Sequence, residues 1–191
     1  MTRIANPVPG ESIMPGPRTP DLQHTVGSRE RTMKYPHQEQ IVEALNTLLT
    51  LELTGVNQFF LHARMCRNWG YDRLADAIRH RSIDEMKHAE KIVDRVLYLE
   101  GIPNLQRLDK VRIGETVPEI LQLDYEHEKK LVDKMKTDVA LLLQLGDHGS
   151  RQMVEEMLLG EEDDIDWFES QFELIKQVGE AHYLAQQIRT S

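Results

Sequence analysis

The sequence predicts an all-α protein: four long helices bundled together with one long crossover, followed by a short fifth helix. Three observations carry this expectation. Four stretches of roughly 28–30 residues are almost free of Gly and Pro and repeat apolar residues at three- and four-residue intervals, the period of one helix face. Breaking residues separate them at Gly70, Glu100-Gly101-Ile102-Pro103, Gly146 and Gly179. The linkers are unequal, because the first and third are a few residues long whereas the second has about 15, enough at roughly 3.3 Å per residue to run the length of a bundle.

The first helix is expected over 38–69, with Pro36 suited to its first turn and Gly55 as its one interior breaker. Asp72 is a candidate cap for the second helix, which runs to the Glu100-Gly101 break. Thr116-x-x-Glu119 reads as a capping box with Pro118 in the first turn of the third helix, which ends at Gly146. Ser150 or a neighbour opens the fourth, Gly179 closes it, and 180–189 forms a short amphipathic segment with Tyr183, Leu184 and Ile188 on its apolar face. At 1.5 Å per residue each long helix measures roughly 42–45 Å. The short linkers force antiparallel hairpins, and the long one lets the third helix start where the second started. The organisation is therefore 1–36 as an N-terminal extension, 37–179 as the bundle and 180–191 as the C-terminal segment. Six of the eight prolines fall in the first 36 residues, with Gly10, Gly16 and Gly27, so this stretch lacks the apolar surface to order itself and is expected to be disordered.

Composition narrows the function. With 191 residues the chain has room for one core. Lys and Arg number 23 against 32 Asp and Glu, a formal charge of -9, which gives no support to nucleic-acid binding. The single cysteine, Cys66, can form no intrachain disulfide and reads as a small hydrophobe. No run approaches the roughly 18 apolar residues of a membrane span, and the first 30 residues lack a secretory apolar core, so a cytoplasmic location is expected.

Each apolar stripe is interrupted by a carboxylate. Glu52 sits among Ile41, Leu45, Leu48, Val56, Phe59 and Ala63; Glu85 among Leu74, Ile78, Ala89, Ile92, Val96 and Leu99. Glu128 sits among Leu121, Val132, Met135, Val139 and Leu142; Glu161 among Val154, Met157, Ile165, Phe168, Phe172 and Ile175. An unpaired buried carboxylate is costly enough to take up a proton or find a cation, so four at matched depths call for a shared partner. The spacing agrees: Glu52 to Glu85 and Glu128 to Glu161 are both 33 residues, and each later Glu has a potential ligand three residues on, His88 and Asp164. Residues i and i+3 lie 60° apart on a helix, so both motifs can aim two ligands inward from one turn. Solvated or ion-paired helix positions explain one such Glu readily and four at mirrored spacing poorly.

This pattern resembles the di-iron site of ferritin-like four-helix bundles. It becomes specific at Leu51-Glu52-Leu53, Asn57-Gln58-Phe59-Phe60-Leu61-His62-Ala63-Arg64, Ser82-Ile83-Asp84-Glu85-Met86-Lys87-His88-Ala89, Glu100-Gly101-Ile102-Pro103-Asn104-Leu105 and Ile165-Asp166-Trp167, which together are similar to bacterioferritin over about 35–189. The resemblance implies Glu52 and His88 as terminal ligands of one iron, Glu85 and Glu161 as bridges, and Glu128 as a terminal ligand of the second. Asp164 stands where the family has a second His. Direct coordination, water-bridged coordination and a side chain turned away remain open for it. Two Fe(II) balance four Glu, and a fifth carboxylate would leave one surplus negative charge, favouring Fe(III). Phe59 stands where the family usually has Tyr, and a phenyl ring cannot give up an electron and a proton as a phenol does.

Met86 lies about 100° round the helix from Glu85 and so points outward. An outward Met by itself reads as subunit packing; the resemblance implies instead an axial ligand, from each of two subunits, to one haem b. His80 and Asp84 resemble the family's inner-wall iron site and equally suit a surface ion pair. The resemblance implies an iron-storing 24-subunit cage with ferroxidase activity, O2 or H2O2 as oxidant, and a small ferredoxin as electron donor. A second reading, kept open by Asp164, is a haem-carrying structural subunit that co-assembles with an active bacterioferritin partner chain. A di-iron oxygenase has less support, because Met86 and the C-terminal segment match a cage. In the extension, Thr25-Val26-Gly27-Ser28-Arg29-Glu30 is similar to the peptides that dock cargo inside encapsulin shells. Chance similarity and a mis-assigned start are the competing readings, since Met33-Lys34 sits where bacterioferritins typically begin.

Overall fold

The structure, a computed structural model, describes residues 35–189. Five helices follow one another: α1 (Gln38–Asn68), α2 (Asp72–Tyr98), α3 (Val117–Gln144), α4 (His148–Val178) and α5 (Glu180–Gln187). Neither the Thr25–Glu30 segment nor the rest of 1–34 lies within the described residues. Among the described residues, no helix is long and apolar enough to cross a membrane.

The helix ends differ from expectation in instructive ways. Pro36 lies ahead of α1 rather than in its first turn, because His37 is the N-cap. Tyr35 already packs against the core and stacks on Tyr98, with ring centroids 5.6 Å apart. Asp72 is the first residue of α2 rather than its cap; its carboxylate pairs with Arg67 at 3.4 Å. The box at α3 is shifted, since Thr116 Oγ1 accepts from Glu119 N at 3.4 Å while the Glu119 carboxylate accepts from Glu115 N at 2.8 Å. Asp147, not Ser150, caps α4: its Oδ1 accepts from Ser150 N at 3.1 Å. Burial works against ionisation of Asp147, yet hydrogen bonds from Ser150 and the charge of Arg95 hold its carboxyl below the usual range. At the end of α2 the left-handed residue is Glu100 (φ 59°), and Gly101 serves close approach instead, as a Cβ there would lie 2.7 Å from Val42. In α5, Tyr183 is buried and Leu184 packs on the core, but Ile188 falls past the helix end and is exposed.

Two apolar clusters fill the bundle. One combines Leu45, Leu48, Ile92, Val96, Leu99, Met135, Leu142, Val154 and Met157; the other combines Phe59, Cys66, Leu74, Ile78, Val117, Ile120, Leu121, Phe168 and Tyr183. The starts of α2 and α3 share one cluster and their ends share the other, so these helices run parallel and residues 99–116 must return along the bundle. Fully burying each Leu, Ile or Phe contributes about 1.5–3 kcal/mol. That surplus lets the bundle tolerate a charged layer between the clusters.

The return path is held by one face of α1. Asn46 Oδ1 accepts from Asn104 N (2.8 Å), Thr54 Oγ1 from Asp109 N (3.0 Å), Gln58 Oε1 from Arg112 N (3.1 Å) and His62 Nε2 from Gly114 N (3.1 Å). These positions are spaced by multiples of four residues, so they form a column up the helix. Crossover amides that would otherwise be orphaned against the bundle are satisfied there. His62 is thereby oriented: Nε2 is an acceptor, so Nδ1 carries the proton and donates to Asp124 Oδ1 at 2.7 Å. Gln58 Nε2 donates to the same oxygen at 2.9 Å.

Candidate metal centre

Glu52 comes from α1, Glu85 and His88 from α2, Glu128 from α3, Glu161 and Asp164 from α4. All four glutamates are buried, between the two apolar clusters. One ligand atom from each of Glu52, Glu85, His88 and Glu161 lies within 4.8 Å of the others, and the same holds for Glu128, Glu161 and Asp164. Glu161 belongs to both groups, as a bridging carboxylate must. Glu85 falls only in the first.

Hydrogen bonding leaves these groups open. Both oxygens of Glu52, both of Glu128, one of Glu85 and one of Glu161 are buried without a hydrogen-bond partner, as is His88 Nδ1. His88 Nδ1 lies 2.7 Å from Glu161 Oε1, 3.6 Å from Glu52 Oε2 and 3.8 Å from Glu85 Oε2. The shortest of these does not form a hydrogen bond, so both atoms are left available to an ion. Desolvation, followed by the fields of neighbouring carboxylates, raises Glu85 and Glu128 well above the ordinary carboxylate range; desolvation also raises Glu52. Burial opposes charging of His88, but the carboxylates of Glu161 and Glu52 outweigh it and push the imidazole up to about 10. The donor set is carboxylate oxygen with one imidazole nitrogen, which suits a first-row divalent metal such as iron.

Several neighbours escaped sequence reasoning. His127, one residue before Glu128, is buried with Nε2 unpartnered and meets Phe59 edge-on at 5.7 Å. Burial and the charge of Lys130 lower it to about 4, so it is neutral at pH 7. Gly55 makes room for it: a Cβ there would lie 2.9 Å from His127 Nε2 and 3.2 Å from Glu85 Oε1. Arg81, one turn before Glu85, pairs with Asp164 Oδ1 at 2.8 Å. The available signal was the break in the α2 stripe, where Arg81 and Ser82 occupy the step between Ile78 and Glu85. Burial, offset in part by Arg81, raises Asp164 to about 6.

The remaining candidates lie around this centre. His80 Nε2 and Asp84 Oδ2 pair at 3.2 Å, and Lys87 also reaches Asp84 at 2.7 Å. They line, with Arg81, His88, Glu161 and Asp164, a cleft of about 400 Å³ that opens onto the centre. Met86 is 52% exposed, Ile83 39% and Phe60 47%, and Arg79 lies over the Phe60 ring. Positions 79, 83 and 86 share one face of α2, so the α1–α2 hairpin carries an apolar outer patch. Cys66 is fully buried, and desolvation pushes its thiol up to about 12, as befits a packing residue.

A bundle of two antiparallel helix hairpins joined by one long crossover, with a carboxylate-rich layer at mid-height, defines a ferritin-like protein, and the chain matches the ferritin-like domain family over residues 42–178. Its similarity to known proteins is narrower. It is 42% identical to the bacterioferritin of Brucella melitensis over 144 residues, 75% of this chain and 89% of that protein. Against the bacterioferritin of Mycobacterium leprae it is 40% identical, covering 76% and 92%, and against that of Streptomyces coelicolor 42%, covering 76% and 87%. The chain belongs to the bacterioferritin family.

Proposed function

We propose that this chain is an iron-storage subunit that oxidises Fe(II) at the buried carboxylate centre and holds the ferric product within a cage of 24 copies. One observation carries the reading: Glu52 and Glu128, on different helices, keep both carboxylate oxygens buried and unpartnered, so that in their charged form they call for a cation beside them. Glu52 and His88 would hold the first iron, Glu161 would bridge, Glu128 with Asp164 would hold the second, and Glu85, grouped with the first set alone, would have to turn to become the second bridge. The iron supplies the electrons: each Fe(II) pair gives two to one O2 or one H2O2. The protein's own task is to hold both ions in place and to balance their charge. The cleft lined by His80 and Asp84 is the route by which iron leaves or enters.

Met86 fits a haem ligand shared by two chains, because it is half exposed on an apolar outer patch rather than packed inside. Haem b held there would pass electrons to the stored mineral when iron is released. The cytoplasm is the proposed site of action. Rapid mixing with two Fe(II) per subunit tests the oxidase reading, and a fast absorbance phase at that stoichiometry is the expected result. Its absence would favour the haem-carrying structural subunit that depends on an active partner chain.

A further inference from the structure

We infer that Arg81 and Asp164 form one charge-neutral unit, in which Arg81 is the positioning residue that aims Asp164 at the second iron and sets that iron's redox balance. The inference rests on the di-iron reading and goes beyond it, since neither residue is needed to define the four-glutamate site. Arg81 is 7% exposed, and a guanidinium does not deprotonate in a protein, so its charge must be met where it stands. Nη1 donates to Ala77 O at 3.1 Å and Nη2 pairs with Asp164 Oδ1 at 2.8 Å. The guanidinium lies 3.8 Å from the centre of the Trp167 ring and 5.2 Å from that of Phe168. Held by both rings and by the α2 backbone, Arg81 is a rigid fork rather than a swinging surface cation.

Asp164 is thus gripped from one side while a carboxylate oxygen stays within 4.8 Å of ligand oxygens of Glu128 and Glu161. Its side chain is 25% exposed, and Arg81 is the α2 side chain that pairs with it. The charges then close. Glu52, Glu85, Glu128, Glu161 and Asp164 bring five negative charges, two Fe(II) bring four positive, and Arg81 supplies the fifth. A centre with an aspartate as sixth protein ligand therefore starts its reaction as neutral as one built from four glutamates and two neutral histidines. Arg81 pairs with Asp164, which groups with Glu128 and Glu161 and not with Glu52 and His88, so the second ion is the one whose ferric state gains most if the Arg81 charge is removed.

The test measures the Fe(III)/Fe(II) affinity ratio of the full-length assembled protein, loaded with two isotopically enriched irons per subunit. Samples are poised anaerobically with redox mediators and read by Mössbauer spectroscopy. Arg81→Met keeps the packing on Trp167 and removes the charge; it should raise the ratio at the second iron by about ten-fold or more, a fall of roughly 59 mV in a one-electron potential. Arg81→Lys keeps the charge and should stay within about threefold of wild type, as should the double variant Arg81→Met with Asp164→Asn, in which both charges are gone. A ratio in Arg81→Met indistinguishable from wild type, or a double variant displaced as far as Arg81→Met, would overturn the inference. Cobalt titration of the wild type separates this from the underlying reading: two Co(II) per subunit support the di-iron centre, and fewer overturn it together with the role given to Arg81.

Discussion

Replacing Glu128 by leucine should make the metal-free protein more stable while destroying half of its metal centre. Glu128 is fully buried on α3, and neither carboxylate oxygen has a hydrogen-bond partner. An unsatisfied buried polar group costs about 1–3 kcal/mol, and exchanging buried ionic groups for apolar ones of similar volume is often stabilising by about 1–4 kcal/mol. We take about 2 kcal/mol for Glu128→Leu, which for a chain of this length corresponds to a rise of about 4–8 °C in Tm. Calorimetry in chelator at pH 7 reads this directly. The gain should depend on pH with a definite sign. Burial and then the charges of Glu85 and Glu161 raise the folded-state value of Glu128. A carboxyl raised on folding stabilises fully below its unfolded value, near 4.5, and that contribution is lost as pH climbs through the folded value. The wild type should therefore close the gap on the variant as pH falls from 7 toward about 4.5. With Co(II) present the order reverses, because binding to the native state adds stability that the variant, short of one terminal ligand, cannot collect. A metal-free Glu128→Leu protein less stable than wild type at pH 7 would show that the carboxylate is already satisfied, and the argument from unpartnered oxygens would fail.

Three further outcomes follow from the same geometry. Gly55→Ala gains about 1 kcal/mol of helix propensity but forces a methyl against His127 and Glu85, so it should be neutral to about 2 kcal/mol destabilising and should slow the fast iron-oxidation phase; an unchanged rate would show the contact to be slack. His62→Leu orphans Gly114 N–H and removes a donor from Asp124, costing about 2–4 kcal/mol, with amide exchange rising first in the crossover near residues 112–116. Met86→Leu should abolish the haem Soret band and leave iron oxidation largely intact, since Met86 and Glu85 lie on different faces of α2; a retained bis-thioether spectrum would refute the ligand assignment.

Periodicity by itself determined a great deal here. Amphipathic stripes, helix breakers and unequal linkers are local or near-local properties, so the four helices, the short fifth and the return path at 99–116 are all legible in the order of the residues. The matched spacing of Glu52, Glu85, Glu128 and Glu161 is legible for the same reason, because a charge in an apolar stripe conflicts with its own neighbours. What pairing satisfies such a charge is a different matter, for it depends on which helix packs opposite and at what height. Arg81 meeting Asp164 across α2 and α4, Gly55 yielding space to His127, and the column of Asn46, Thr54, Gln58 and His62 receiving the crossover amides all join residues distant in sequence. No period links such residues. Their agreement is decided only when packing sets the register of one helix against another, and it is that register which turns Asp164 from an ambiguous substitution into one half of an ion pair.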